Sequence, residues 1–196
     1  MKAKLPVLRS RTHWEGLLGP ILRVLLLGAV WAAGFGGWEV RAEGPVYSEY
    51  QVKATFLFHF AQFIKWPPTS GTQLTIGILG DDPFDGALDK IIQGENVDGR
   101  KLAIKRARRA DDLKGCQVVF ITNSAQGNIN AIIATLAGAN VLTVGEQEGF
   151  VKQGGTIGFT TGGEKVRFEI NTGAAQRAGL EISSRLLKLA SRVGNW

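Results

Sequence analysis

Four short apolar runs alternate with helix-forming segments through the middle of this chain, and no other feature restricts its fold so strongly. LTIGILG (74–80), KLAIKRA (101–107), CQVVFITN (116–123) and NVLTVGE (140–146) have the length and the Val, Ile and Leu content of buried strands. Between them, PFDGALDKIIQG and NINAIIATLAG read as helices, the second ending at Gly138. Asp82 and Pro83 suit the cap and the first position of the former. Such alternation predicts one α/β domain: a mainly parallel sheet, helices on both faces and right-handed crossovers.

The flanking segments complete that picture. YQVKATFLFHFAQFIKWP (50–67) is helical by period, with Val52, Phe56, Phe60 and Phe63 recurring every three or four residues. Ala54, Leu57, Ala61 and Ile64 widen the stripe, and Lys53, Gln62 and Lys65 are placed off it. Trp66-Pro67-Pro68 ends the helix, because the prolines lack donors and bias the preceding residue away from helical dihedrals. Phe58, His59 and Trp66 exceed what a single buried stripe needs and are candidates for a dimer or pocket surface. Near the C-terminus, runs at 156–160 and 165–170 around a glycine-containing turn predict a β-hairpin. TGAAQRAGLEISSRLLKLA then reads as one closing helix. Its buried stripe would be Ala175, Ala178, Ile182, Leu186, Leu187 and Leu189, and Arg177, Glu181, Arg185 and Lys188 would form an ion-paired outer face.

Residues 1–42 read as a secretory signal. Lys2, Lys4, Arg9, Arg11 and Arg23 precede the apolar run VLLLGAVWAAGFGGW, and Val40-Arg41-Ala42 supplies a cleavage position. The run is glycine-broken and shorter than the roughly 18–20 residues a membrane span needs. Cleavage leaves 43–196 as one exported domain. Six of the 23 basic and two of the 17 acidic residues go with the signal, so the formal charge falls from +6 to +2 and nucleic acid is not an expected partner. Cys116 is the only cysteine. It forms no internal disulfide and is either a buried core thiol or an intermolecular one.

Bond-making chemistry finds little support. Past the signal, His59 is the only histidine, so neither a His/Cys zinc set nor a serine triad with a G-x-S-x-G elbow can be assembled. ILGDDPFDG has neither G-x-G-x-x-G nor a Walker lysine, and Asp81 and Asp82 would repel a phosphate. Those acids with Asp85 could hold a divalent metal, but adjacent carboxylates in such a turn usually cap and solvate. No catalytic, metal or cofactor residue is therefore assigned. The densest charge cluster is Arg100, Lys101, Lys105, Arg106, Arg108 and Arg109. Strand alternation separates Arg106 and Arg108 from Lys105 and Arg109, leaving a solvated strand edge or a contact surface for an anionic partner.

FLFHFAQFIKWP, ILGDDPF, GRKLAIKRA, CQVVFI, VLTVGEQEGFVKQGGTIGFTTGGEKVRFEIN and AGLEISSRLLKLA, in this order, resemble the YfiR family of periplasmic proteins over residues 47–192. The resemblance implies a non-enzymatic, homodimeric domain that represses an inner-membrane diguanylate cyclase by binding its periplasmic sensor region. It also implies stabilising disulfides that a chain with Cys116 alone cannot form. Arg106, Arg108 and Arg109, and Arg177, Arg185 and Lys188, are the candidate partner contacts. The alternative is a small-ligand receptor, its crevice lined by Gly80-Asp81-Asp82, Thr122-Asn123-Ser124 and Gly145-Glu146 at the carboxyl ends of the strands.

Overall fold

A computed structural model describes residues 48–67, 71–137, 140–162 and 165–196, so the expected signal segment and its cleavage position lie outside the described residues. Ser48 starts the first helix, α1 (Glu49–Phe63), through a capping box: its hydroxyl accepts from the Gln51 amide, and the Gln51 side chain accepts from the Ser48 amide. The chain leaves α1 in extended form as β1 (Ile64–Lys65), just before Trp66 and Pro67. Among the described residues, no helix is long and apolar enough to cross a membrane.

The predicted strands appear as β2 (Gln73–Leu79), β4 (Arg100–Ala107), β5 (Val118–Ile121) and β6 (Leu142–Gly145). The hairpin is β7 (Ile157–Gly162) with β8 (Lys165–Asn171). A two-residue β3 (Asn96–Val97) and a terminal β10 (Arg192–Gly194) complete an eight-stranded sheet ordered β10-β8-β7-β6-β5-β2-β4-β3. The stretch from β4 through β2, β5 and β6 to β7 is parallel throughout, β3 runs antiparallel to β4 and β8 to β7, and β10 lies parallel to β8. The sheet is thus mostly parallel, as the alternation predicts.

Both faces are covered. Leu74, Ile76, Ile78, Val118, Phe120, Leu142, Val144, Ile157, Phe159, Phe168 and Ile170 alternate onto one face and meet α1 and α2 (Ala87–Ile92). Leu79, Val119 and Ile121 face the other way, onto Leu113 and Phe150, each from a short 3-10 turn, and onto Ile132 and Leu136 of α3 (Ile129–Leu136). Here the backbone must approach Phe150 closely. A Cβ at Gly145 would lie 2.5 Å from the ring, and one at Gly155 would overlap it.

Three expectations need correction. The closing helix is two short ones, α4 (Thr172–Arg177) and α5 (Ser184–Leu189), parted at Gly179, whose φ is +68°. Between them β9 (Glu181–Ile182) pairs antiparallel with β1, so Glu181 bonds Lys65 at 3.0 Å instead of the arginines, and Leu189 is 63% exposed. The first crossover helix starts only at Ala87. Asp82 Oδ1 accepts from the Phe84 amide in a local turn, and Asp85 and Gly86 both have positive φ. Lys53 is placed off the buried stripe by the sequence, yet it is 2% exposed.

Truncating Phe150→Ala should cost about 3–5 kcal/mol, and Gly145→Ala about 1–3 kcal/mol by overpacking, both read from urea denaturation midpoints.

Candidate functional site

The strand order places a topological switch between β2 and β5, because β2 continues to β4 on one side and the chain returns to β5 on the other. In open α/β sheets that is where a crevice forms. Here it is stitched shut. Thr122 Oγ1 donates to the Leu79 carbonyl at 3.0 Å and lies 2.9 Å from Ser124 Oγ, which accepts from the Asp81 amide at 2.7 Å. Gly80 sits so close that a Cβ would run into both hydroxyls. Two of the three predicted crevice segments therefore bond to each other.

The third, Gly145-Glu146, carries a buried charge pair that sequence reasoning missed. Lys53 of α1 donates to Glu146 at 2.7 Å and to Glu49 at 2.6 Å, and the Lys53 and Glu146 side chains are each 3% exposed. Glu146 also accepts from the Asn123 amide at 3.0 Å. The Lys53 ammonium lies 4.7 Å from the Tyr50 ring centre and 5.7 Å from that of Phe159. Burial alone would lower the Lys53 pKa, but the hydrogen bonds and charges of Glu146 and Glu49 outweigh it and raise the value. Burial, with Glu146 nearby, raises that of Tyr50. The signal was present: steps of 53, 57, 60 and 64 give the truly buried stripe, and a lysine on it needs a partner.

Beside this pair a groove of about 470 Å³ opens, lined by Glu146, Gln147, Lys152, Thr160, Glu169 and Arg192. Gln147 donates to the Thr122 carbonyl at 2.7 Å, while its buried Oε1 has no hydrogen-bond partner among the described residues.

The candidate contact residues fall into separate places. Arg106 is held by Asp82 at 2.7 Å and Asp89 at 2.6 Å, which keep it firmly protonated, and Arg108 is held by Asp81 at 2.6 Å. Arg109 is exposed. Arg177 lies on α4 at a small apolar cleft with Ile133, Leu136 and Val141, whereas Arg185 and Lys188 are exposed on α5, whose Leu186 packs in the α1-side core. They do not form one helical stripe. Trp66 is 7% exposed, its indole donating to the Ala61 carbonyl at 2.8 Å, so its ring belongs to the monomer core. Phe58 and His59 are half-buried neighbours, and His59 Nδ1 is 3.1 Å from Gln62 Oε1. Cys116 is buried beside Leu113 and Gly77, and that burial raises its thiol pKa.

Residues 50–191 match the YfiR/HmsC-like family. A conserved domain protein from Vibrio cholerae O1 biovar eltor str. N16961 is similar in structure, with a TM-score of 0.51 and 15% identity over 75% of this chain and 60% of that one. The ABC domain from Streptococcus pneumonia, solved in complex with L-Trp, gives a TM-score of 0.50 and 11% identity over 74% and 60%. The chain thus spans about 60% of the length of each structure, and the likeness is one of fold.

Lys53→Met should cost about 3–5 kcal/mol in urea denaturation because it strands a buried carboxylate, and adding Glu146→Leu should recover most of the loss. The Cys116 thiol should react with a maleimide only slowly in the native protein and rapidly in denaturant; fast native labelling would contradict its burial.

Proposed function

Because this chain belongs to the YfiR/HmsC-like family, we propose that it represses a membrane-bound diguanylate cyclase by binding that enzyme's periplasmic sensor region. The family is regulatory rather than catalytic, is periplasmic in general and belongs to cyclic di-GMP signalling. The observation that carries the proposal is the extent of the match, residues 50–191, which takes in almost every element of the fold.

In this reading the protein is exported by cleavage after residue 42 and works as a homodimer, with half-buried Phe58 and His59 offered to the second copy. Repression is differential binding. To move the cyclase from almost wholly active to almost wholly inactive, the domain must prefer the inactive form by about 10⁴-fold. The α5–β10 stretch has a composition suited to contact: exposed Arg185, Lys188 and Arg192 lie along the chain with Leu189 at 63% and Val193 at 44% exposure.

A second reading, a small-ligand receptor, is favoured by the groove at Glu146 and by the Gln147 oxygen, which has no partner among the described residues. Cellular cyclic di-GMP separates the two. Deleting the chain should raise it, and restoring the chain should lower it again only when residues 1–42 are present. An unchanged level on deletion would overturn the repressor reading and leave the ligand receptor.

A further inference from the structure

Among the described residues, β4 has a long open edge. β4 is eight residues long, but β3 pairs only with Arg100 and Lys101 at its start. On its other side, the Lys101 amide donates to the Thr72 carbonyl and the Ala107 carbonyl accepts from the Gly80 amide, which sets the odd-numbered residues of β4 toward β2. Leu102 turns its amide outward to the Glu95 carbonyl at 3.4 Å. Ile104 and Arg106 therefore direct both N–H and C=O away from the sheet, where no strand pairs with them among the described residues.

Two further observations say what suits this edge. Alongside it, between α2 and β4, runs a groove of about 410 Å³ lined by Ile92, Leu102 and Ile104 with Asp89, Lys90 and Arg106. On the opposite face of the strand Lys101 and Lys105 are exposed, and neither makes an ion pair among the described residues. A strand added here would drop alternate side chains into an aliphatic groove and present the others to unpaired ammonium groups.

We infer that the free edge of β4 receives an extended, acidic segment of a protein partner as an added strand, with apolar residues facing Ile92 and Ile104 and carboxylates facing Lys101 and Lys105. A second copy of the same edge is disfavoured. Antiparallel self-pairing centred on Ala103 would set Lys101 against the Lys105 of the second copy, and like charges across a strand pair repel. The inference rests on the protein-binding reading above and names the kind of segment bound.

The test uses the purified protein with a Glu-Val alternating peptide as long as β4, 8 residues, and a Lys-Val peptide as control. Amide exchange at Ile104 and Arg106 should slow by about tenfold or more with the first and not with the second. Ile104→Pro removes an outward N–H that the ladder does not use, and it should abolish binding without lowering the melting temperature much. If that variant fails to fold, the Lys101→Glu, Lys105→Glu double variant decides, since it should reverse the preference between the peptides. No slowing by the acidic peptide, or equal binding by the folded proline variant, would overturn the inference. Failure here is separable from failure of the proposed function. Repression that survives Ile104→Pro removes this edge as the cyclase's docking site while leaving the repressor in place; unchanged cyclic di-GMP on deletion, with peptide binding intact, does the reverse.

Discussion

The longest cover on one face of the sheet is the fifteen-residue helix α1, and a ring cluster fastens it there. Phe60 stands 5.1 Å from Phe168 and 5.8 Å from Phe159, and Phe56 stands 5.3 Å from Phe168. Burying each ring contributes about 1.5–3 kcal/mol, and favourable ring geometry adds about 0.5–1.5 kcal/mol per pair. Those gains exceed the several kcal/mol that desolvating Lys53 and Glu146 costs before their attraction is counted. The charge pair therefore does not hold α1 down. It selects where α1 sits, because only one register brings Lys53 to a carboxylate at the end of β6.

That selection has consequences at the carboxyl ends of the strands. Glu146 bonds both Lys53 and the Asn123 amide, so the exits of β5 and β6 are tied to the helix above them. The β2 and β5 exits are tied to each other through Thr122 and Ser124. A fold that usually opens at its switch point is closed there, and its larger groove lies beyond β6 against the β7–β8 hairpin. Rigid strand ends with grooves displaced to the sheet's flanks suit a domain that presents surfaces to a partner.

The core was legible because strand length, β-branched content and alternation all agree. Ile76, Val118 and Leu142 lie in register on one face, each inside a run that the sequence marks as a strand. What failed depends on long-range pairing. Helical period continues from Thr172 to Leu189, and nothing local shows that Ile182 and Glu181 will pair with Ile64 and Lys65, Glu181 lying 116 residues after Lys65; the pairing wins because it satisfies the backbone of both short segments at once. Of the candidate site residues, exposure of Arg109, Arg185 and Lys188 follows from their charge, but the fixing of Arg106 and Arg108 does not, since their partners lie on another strand's exit and on α2.

The acidic turn and the basic strand look like two separate puzzles in the sequence, and one register resolves both. Leu79 lies opposite Ala107, so the residues leaving β2, Asp81 and Asp82, emerge beside Arg106 and Arg108. Parallel pairing makes this unavoidable, because both strands deliver their exits to the same end of the sheet. Carboxylates that would otherwise repel one another are neutralised at 2.6–2.7 Å, and the arginines lose the freedom to meet an anion elsewhere. The aspartates leave untouched the exposed residues of opposite parity on β4, Lys101 and Lys105, which point away from them. Strand register thus decides which cations of β4 are held by aspartates and which are not, and a count of basic residues along the strand does not show it.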